Sequence, residues 1–260
     1  MSDSEPSRFD AADRFNRAEF ATIARYEESF WWYRGMRAIQ LSVLGPYLEK
    51  PRVGRALEAG CGTGYLAHRL QRERNLHLVA MDYSAEGLRY GVEGGLERAA
   101  QGSLLDLPFG SAAFDLAMSF DVLQQFGPGE ERRALSELAR VVKPGGLLAL
   151  RVSAFHALRS RHSEFVCERQ RYTRPQLRRL VEEAGFRVLR ATYANTLLSP
   201  VALFKFRLIE PLQAKRVESG IQPRWLDRAL FGLLAAEAAW LRAGFRLPFG
   251  QSLLLIGERV

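Results

Sequence analysis

The segment LEAGCGTGYL, residues 57–66, constrains the fold of this 260-residue chain more than any other stretch. A short apolar run leads into Gly60, Gly62 and Gly64, and a helical pattern begins directly after them. Glycine lets a backbone turn sharply and approach a ligand closely. The start of a helix offers unpaired N–H groups and positive potential. The segment therefore predicts a strand, a ligand-binding loop and a helix, with a plain tight turn as the alternative.

Short apolar strands alternate with helical patterns through the rest of the chain. This alternation is typical of a parallel sheet with helices on both faces. The predicted strands are 55–59, 77–82, 97–101, 114–120, 147–153, 186–194 and 252–260. A helix over 129–142 ends at Lys143-Pro144-Gly145-Gly146. Thr173 and Gln176 have the spacing of a capping box, and Gly185 ends the helix that they open.

Helical periodicity also precedes the glycine loop, over residues 15–30 and 32–48. We expect Pro46 and the stretch 51–54 to end this region. Trp31 and Trp32 lie here, in SFWWYRGMR. Adjacent residues on a helix differ by about 100° in direction, so the two rings cannot share one face. They either fill the core of an amphipathic helix or serve a site.

Asp82 ends the second strand, about twenty residues beyond the glycine loop. An acid in this position is placed to accept hydrogen bonds from ribose hydroxyls. The alternative is that Asp82 caps the helix that follows Ser84. The loop is not the GxGxxG pattern that dinucleotide-binding proteins require.

The amino-acid composition limits the classes of partner that we expect for this chain. Lys and Arg outnumber Asp and Glu by 37 to 29, a formal charge of +8, and the arginines are scattered along the chain. A solvated surface explains this better than nucleic-acid binding. Cys61 and Cys167 have no metal-binding spacing. We expect reduced thiols, no metal and a cytoplasmic protein.

Five blocks in order now resemble the class I S-adenosylmethionine-dependent methyltransferases of the type 11 group. These blocks are LEAGCGTG (57–64), MDYS (81–84), QGSLLDLPF (101–109), SFDVLQQF (119–126) and LARVVKPGGLLAL (138–150). Flanking blocks such as WWYRGMR (31–37) and RYTRPQL (171–177) resemble a bacterial subgroup with an N-terminal WW-[FY]-R-G motif. The resemblance implies a Rossmann-like, seven-stranded α/β sheet with N-terminal helices and a helical insertion before the last strand.

The resemblance also implies a set of cofactor contacts for S-adenosylmethionine. The residues expected to hold the cofactor are Glu58, Gly60, Cys61, Gly62, Gly64, Asp82, Tyr83, Ser103, Leu104 and Phe120. Ser103 replaces an aspartate that is usual in the family, which weakens one contact to the adenine. Gln125 replaces the family's histidine and cannot act as a base.

The sequence predicts the residues that contact the methyl acceptor less precisely than those that hold the cofactor. The residues expected to contact the acceptor are Trp31, Trp32, Tyr33, Arg34, Arg37, Asp121, Gln125, Tyr172 and Asn195. If the acceptor atom is a hydroxyl, a nearby base helps. His162 is the catalytic candidate, because its block resembles a His-Asp-Glu element of the subgroup in which Ser163 replaces the acid. A surface histidine without a role is the alternative.

The resemblance divides the chain into a helical lid (1–50), a cofactor-binding core (51–194), an insertion (195–247) and a closing strand (248–260). The insertion follows a strand whose carboxyl end lies on the cofactor side of the sheet. Its apolar helical patterns near 197–212 and 224–244 either pack on the core or contact a lipid-like acceptor. In the second case residues 197–216 would also touch a membrane surface peripherally.

The predicted function is metal-independent methyl transfer to a small-molecule or lipid-like acceptor. Three alternatives stay open: an NAD-dependent oxidoreductase, an RNA methyltransferase and a noncatalytic cofactor-binding protein. The first lacks GxGxxG, and the second lacks any added RNA-binding module. The sequence does not specify the acceptor atom or the oligomeric state.

Overall fold

A computed structural model describes residues 17–48, 53–74, 76–160, 163, 166–204 and 224–260. Within these ranges, the helices are α1 Arg17–Tyr26, α2 Trp31–Leu48, α3 Tyr65–Arg74, α4 Ala85–Glu93, α5 Glu130–Val141, α6 Arg174–Glu183, α7 Ser199–Phe204 and α8 Arg224–Arg242. The strands are β1 Arg55–Ala59, β2 His77–Asp82, β3 Ala99–Gln101, β4 Phe114–Phe120, β5 Val142–Ser153, β6 Phe186–Ala194 and β7 Ser252–Arg259.

The seven strands form one sheet in the order β3-β2-β1-β4-β5-β7-β6. The pairs from β3 to β5 are parallel, whereas β7 is antiparallel to both β5 and β6. Since β7 runs against both neighbours, β6 is parallel to β5 and β1. The carboxyl ends of β1, β2, β4, β5 and β6 therefore meet at one edge, as predicted. The predicted Rossmann-like sheet is confirmed.

Two apolar cores cover the two faces of the sheet. On one face, α5 and α6 contribute buried side chains such as Leu135, Leu138 and Leu177. On the other face, α2, α3 and α8 contribute Ile39, Leu70, Leu234 and their neighbours. Because both faces of the sheet are buried, the central strands are mostly apolar rather than alternating between apolar and polar residues. This is why β1 to β5 were readable as continuous apolar runs.

One predicted boundary was wrong. The segment 143–146 was expected to precede β5, but the strand begins at Val142, and the register between β4 and β5 shifts across the bulged Pro-Gly stretch. The helical stretch predicted over 32–48 ends at Leu48 as expected, and Pro46 lies inside α2, two residues before the helix ends. A proline so near the end removes one hydrogen bond from the last turn, which costs little.

The N-terminal helices and the insertion pack against each other. A side chain at Gly35 of α2 would overlap Leu234 of α8, so the two helix backbones approach closely there. The predicted insertion helix near 197–212 is described only as α7, and residues 205–212 lie outside the described ranges. The division of the chain into lid, core, insertion and closing strand stays a prediction.

Candidate functional site

The glycine loop between β1 and α3 has a backbone that only glycine adopts easily. Gly60, Gly62 and Gly64 have φ values of +83°, +58° and +69°. A Cβ atom at Gly60 would overlap the side chain of Val122, and one at Gly64 would lie 2.9 Å from a methyl group of Leu96. The N–H of Gly60 donates to the carbonyl of Met81 at 2.7 Å, which holds the loop against β2. The loop is a preformed cradle at the carboxyl edge.

Asp82 lies beneath this cradle and braces it. Its Oδ2 accepts from the N–H of Gly62 at 2.7 Å, and its Oδ1 accepts from the N–H of Ser84 at 2.8 Å. Ser84, not Asp82, caps α4, because its hydroxyl accepts from the N–H of Gly87. The capping alternative for Asp82 was therefore wrong. Burial raises the pKa of Asp82, and the N–H groups of Ser84 and Gly62 oppose this rise.

Glu58 supplies an unpaired carboxylate oxygen to the same place. Its side chain is buried, and its Oε2 has no hydrogen-bond partner among the described residues. Burial, together with the neighbouring Asp82, raises the pKa of Glu58 to about 8. Buried polar atoms without partners are rare in folded proteins and call for an explanation such as a ligand. A cationic or hydrogen-donating ligand group above the loop would provide one.

These features fit S-adenosylmethionine, the cofactor that the resemblance implies. The cradle formed by Gly60 to Gly64 lets a ligand approach the backbone, and Glu58 offers an acceptor for its amino-acid part. Asp82 keeps lone pairs beyond the two bonds that it makes within the loop, so ribose hydroxyls remain chemically compatible with it. The glycine loop and the two carboxyl groups are therefore chemically suited to this cofactor.

Helix α1, which belongs to the segment predicted as a helical lid, packs over the loop and α4. Phe20 is buried, and its ring lies within 2.9 Å of where a Cβ atom at Gly87 would be. Glu27, just after α1, accepts from the hydroxyl of Thr63 in the glycine loop. The contacts of Phe20 and Glu27 were missed, because only a tertiary contact brings residues so far apart in sequence together.

The aromatic segment SFWWYRGMR opens α2 next to α8. The rings of Trp31 and Trp32 meet edge to face at 5.8 Å, and both pack on the apolar core shared with α2 and α8. The N–H of Trp31 donates to Asp227, while its indole Nε1 has no partner among the described residues. Arg34 stacks on Phe231 of α8 at 4.0 Å. Both tryptophans have core contacts, as expected from the alternative in which they fill the core of an amphipathic helix.

Tyr33 and Arg37 are also occupied by neighbours. Burial raises the pKa of Tyr33, and the fields of Glu19 and Glu27 add to it. Arg37 is buried, donates to the carbonyl of Glu27 at 3.0 Å and lies over the ring of Tyr65 at 4.3 Å. Arg37 therefore ties the segment after α1 to the first residue of α3. Acceptor contacts for the whole aromatic segment stay a prediction.

The loops after β3 and β4 border the cradle. Leu104 is buried in the core, so only its backbone remains for a cofactor contact. Phe120, at the end of β4, is partly buried and packs on the α2 side of the sheet. Gln125 donates to the carbonyl of Asp121, which keeps the loop folded back on itself. Cys61 lies within the glycine loop and Tyr83 directly follows β2, and both are partly buried.

Arg151 in β5 is a site residue that sequence reasoning missed. Its guanidinium forms a two-point ion pair with Asp121, whose φ of +60° is unusual for a residue other than glycine. The side chain of Arg151 is 13% exposed. Burial lowers its pKa to about 10, and Glu58 opposes this. A single charge inside the apolar run LLALRVS was the signal that could have identified it.

Tyr172 and Asn195 differ in what they offer. Tyr172 is 3% exposed and its hydroxyl donates to the carbonyl of Leu123, which favours a structural role for this predicted acceptor contact. Asn195, at the end of β6, is fully buried with φ of +58°. Neither its Oδ1 nor its Nδ2 has a partner among the described residues. This unpaired amide suits a polar ligand group better than a core position.

The candidate base His162 lies outside the described residues. Next to it, Ser163 is buried and accepts from Arg171 at 2.9 Å, and Arg171 also pairs with Glu168. Glu168 accepts in turn from the hydroxyl of Ser153 at the end of β5. This network anchors the segment after β5 at the carboxyl edge. No cluster of three or more metal-ligating side chains occurs in the ranges that the structure describes.

Comparison with known proteins gives matches of two kinds. Residues 57–150 match the family model described as a methyltransferase domain. A malonyl-[acyl-carrier protein] O-methyltransferase of Salmonella typhimurium is 31% identical over 209 residues, which cover 76% of this chain and 79% of that protein. The enzyme of the same name from Enterobacter lignolyticus is 29% identical over 232 residues, covering 86% of this chain and 89% of that protein.

Solved structures share the fold at lower identity. The methyltransferase in complex with the Trm112 activator of Haloferax volcanii has a TM-score of 0.58 at 18% identity, covering 94% of this chain and 96% of its own. A S-adenosylmethionine-dependent methyltransferase of Thermotoga maritima has a TM-score of 0.56 at 19% identity, covering 93% and 98%. At these identities the similarity supports the fold alone.

Proposed function

Because this chain belongs to the class I S-adenosylmethionine-dependent methyltransferases, we propose that it methylates a carboxylate of a lipid-like acyl intermediate. Family membership rests on the match to the Salmonella typhimurium enzyme over three quarters of both chains. It removes the NAD-dependent oxidoreductase from the alternatives. The acceptor class is the proposal.

The relatives support an acyl acceptor. Both bacterial O-methyltransferases described above are named for a malonyl group carried on an acyl-carrier protein. A malonyl group ends in a free carboxylate, and an O-methyltransferase that acts on it forms an ester. The Enterobacter alignment covers 86% of this chain, so it reaches well beyond the domain at 57–150. The likeness thus includes regions that flank the cofactor-binding core.

The buried Arg151 is the observation that most directly supports a carboxylate as the methyl acceptor. Its guanidinium lies at the carboxyl edge, in β5, and is paired with the 40% exposed Asp121. An arginine presents a planar fork of donors that matches a carboxylate at two points. An acceptor carboxylate can therefore take the place of Asp121 or share the guanidinium with it. Glu58 is the other acidic group that acts on the Arg151 charge.

A carboxylate acceptor also makes few chemical demands on the protein. When bound, the cofactor supplies a methyl group that its sulfonium already activates. A carboxylate is ionised at neutral pH and needs no base, in contrast to a hydroxyl. With S-adenosylmethionine held by the glycine loop, the products of transfer to a carboxylate oxygen would be a methyl ester and the thioether S-adenosylhomocysteine. Gln125 in place of a histidine is compatible with this chemistry.

The chain's own residues then have three tasks. The glycine loop with Glu58 and Asp82 holds the cofactor, while Arg151 orients the acceptor. Helix α1, through Phe20, covers the loop and excludes water from it, which is the positioning and desolvation that methyl transfer needs. A catalytic role for His162 remains part of the proposal only if the acceptor is a hydroxyl instead.

The lipid-like character of the acceptor leaves a membrane contact through 197–216 as a further proposal. Residues 205–216 lie outside the described ranges, and the described part, α7, exposes Val201 and Phe204. In the described parts of the chain, no helix has the length and apolar character needed to cross a bilayer. The cytoplasmic location and the lack of nucleic-acid binding remain predictions.

A methyl-transfer assay with two acyl-carrier substrates tests the acceptor class. The purified protein receives S-adenosylmethionine with a labelled methyl group and a carrier protein that bears either malonyl or butyryl. These two groups have similar length, but only malonyl ends in a carboxylate. Mass spectrometry should detect one added methyl group on the malonyl carrier, released by mild base as expected of an ester, and none on the butyryl carrier.

Two outcomes would contradict the proposal. Label on an amine, a hydroxyl or the butyryl carrier would show a different acceptor atom. Retention of S-adenosylhomocysteine by the protein, with no methylation of malonyl or of longer dicarboxylic acyl groups, would favour the noncatalytic cofactor-binding protein instead.

A further inference from the structure

Helix α8 presents an apolar face to solvent along its whole length. Trp225 is 70% exposed and Trp240 is 52% exposed, near opposite ends of the helix. At 1.5 Å per residue these two side chains are about 22 Å apart. The exposed residues that lie between them on the same face are apolar or small: Ala229, Gly232, Leu233, Ala236 and Ala239.

The orientation of α8 is fixed by its opposite face. Leu234, Ala238 and Leu241 are buried against α2 and the sheet. The close approach at Gly35 leaves no room for the helix to rotate on α2. Successive residues turn by about 100°, so the buried face and the Trp225–Trp240 face point in nearly opposite directions. The apolar face is therefore held outward by the fold.

The exposed charges that the structure describes on α8 and on the following residues up to 250 are all positive. The two acids of α8 are turned inward: Asp227 accepts from the N–H of Trp31, and Glu237 is 3% exposed and accepts from the backbone after β6. The exposed charges of the segment are Arg228, Arg242 and Arg246. By helical geometry Arg228 and Arg242 lie along one flank of the apolar face. No exposed acid occurs between residues 225 and 250.

The aromatic character continues past the end of the helix. Phe245 is 52% exposed and stacks on Trp240 with ring centroids 4.4 Å apart, and Phe249 is 46% exposed. An apolar patch this long is unusual on a protein surface that faces only water. Helices that lie in a membrane interface typically have tryptophan and phenylalanine on one face and arginine or lysine beside it.

We propose that this face of α8 docks on the surface of an anionic membrane. The apolar side chains would enter the boundary between headgroups and acyl chains, and Arg228, Arg242 and Arg246 would contact anionic headgroups. The charge pattern selects this occupant. A second copy of the chain would bring two sets of arginines together, and an uncharged partner would leave them unpaired.

Docking through α8 would place the site beside the bilayer. Asp227 of α8 holds the first residue of α2, and Arg34 of α2 stacks on Phe231, so the docking helix and the aromatic segment form one packed unit. A lipid-like acceptor could pass from the membrane to that segment without crossing water. The docking itself requires neither acceptor nor cofactor, so it stands independently of the acceptor class.

Flotation with lipid vesicles tests the docking face. Vesicles of phosphatidylcholine alone are compared with vesicles that contain about 30% phosphatidylglycerol, which supplies the negative surface potential. The wild-type protein should float with the anionic vesicles and remain below the neutral ones. The double variant Trp225→Ala/Trp240→Ala should bind at least tenfold more weakly. Both side chains are mostly exposed, so the melting temperature should not change.

Two matched controls separate this face from general surface effects. Val92→Ala removes an exposed apolar side chain on α4 and should float like the wild type. Arg228→Glu/Arg242→Glu should abolish flotation, whereas Arg178→Glu/Arg179→Glu, on the exposed face of α6, should leave it almost unchanged. The charge dependence should weaken in high salt.

Three results would overturn the proposal. The wild type could fail to float with anionic vesicles, or the double tryptophan variant could float as well as the wild type. Alternatively, analytical ultracentrifugation could show a dimer that the double tryptophan variant converts to a monomer. That result would mean that a second copy covers the face.

Discussion

At the scale of single residues, the site is organised by three ionisable groups at the carboxyl edge. Glu58 and Asp82 lie below the glycine loop, and Arg151 lies beside them in β5, paired with Asp121. All three are removed from bulk water, so the protonation state of each depends strongly on the others. The acids suit the cofactor, and the arginine suits an anionic acceptor.

Glu58 should make stability depend on pH in a defined direction. Its pKa in the folded protein is about 8, above the ordinary 4.5, so folding favours the protonated form. Its contribution to the free energy of unfolding is therefore full below about pH 4.5, and it falls as the pH rises to about 8. Glu58→Gln should remove this loss, which is at most about 5 kcal/mol.

Urea unfolding of the wild type and Glu58→Gln at mildly acidic, neutral and mildly alkaline pH measures this effect. The stability difference between the two proteins should grow in favour of the variant as the pH rises. A constant difference across this range would mean that Glu58 is ionised in the folded protein at neutral pH.

Arg151 should matter for the acceptor and not for the cofactor. Arg151→Met keeps the length of the side chain but removes the charge that would orient a carboxylate. Losing one partner of a desolvated charge pair costs about 2–5 kcal/mol. We expect kcat/KM for the malonyl carrier to fall at least about 30-fold, with the affinity for S-adenosylhomocysteine unchanged within about twofold.

Arg178→Met, on the exposed face of α6, is the matched control and should have wild-type kinetics. Equal losses of acceptor turnover and cofactor affinity in Arg151→Met would instead assign Arg151 to the cofactor pocket or to the stability of the fold.

At the scale of secondary-structure elements, the contact between α2 and α8 joins the N-terminal helices to the insertion. Glu237 of α8 adds a second connection, because it accepts from the N–H groups of Asn195, Thr196 and Leu197 after β6. These contacts connect the aromatic segment with the backbone at the end of β6. Damage to this contact should therefore affect stability first.

Two helical glycines, one in α2 and one in α8, offer a matched test of that contact. Gly35→Ala in α2 places a methyl group into Leu234, so it should destabilise the protein by about 1–3 kcal/mol. Gly232→Ala in α8 meets nothing within 4 Å and should be neutral or stabilising by up to about 1 kcal/mol. Thermal unfolding of both variants measures the difference. Equal stability of the two would show that α2 and α8 do not pack as described.

The sheet was predictable from sequence, and the contacts between elements were not. Apolar strands, the glycine loop and the capping box at Thr173 are local patterns, and each was found close to its predicted position, although β5 begins five residues earlier than predicted. The position of Phe20 over Gly87 and the pairing of Arg151 with Asp121 depend on tertiary packing. A local sequence pattern does not report such contacts, so Phe20 and Arg151 were missed.

The aromatic segment is a second case in which the sequence alone did not determine the tertiary contacts. Its composition predicted a site for Trp31 and Trp32, with core packing as the alternative, and the structure provides core contacts for both rings. Whether either ring also meets an acceptor depends on how α1 and α2 lie relative to the cofactor. Residue type alone does not contain that information.

At the scale of the whole molecule, one edge of the sheet collects the functional parts. The glycine loop, Asp82, Arg151 and Asn195 come from four parts of the chain, and the parallel strands bring their carboxyl ends together. Helix α1 covers this edge, and α8 presents its apolar face outward. The account therefore depends first on the claim that this edge holds S-adenosylmethionine.

Calorimetric titration with S-adenosylhomocysteine tests that claim most directly, with two glycine variants that share a positive φ. Gly60 has no room for a side chain because of Val122, whereas Gly145 has a φ of +74° and open space around it. The wild type and Gly145→Ala should bind with similar affinity, and Gly60→Ala should bind at least tenfold more weakly. No binding by the wild type, or equal binding by all three proteins, would contradict the account.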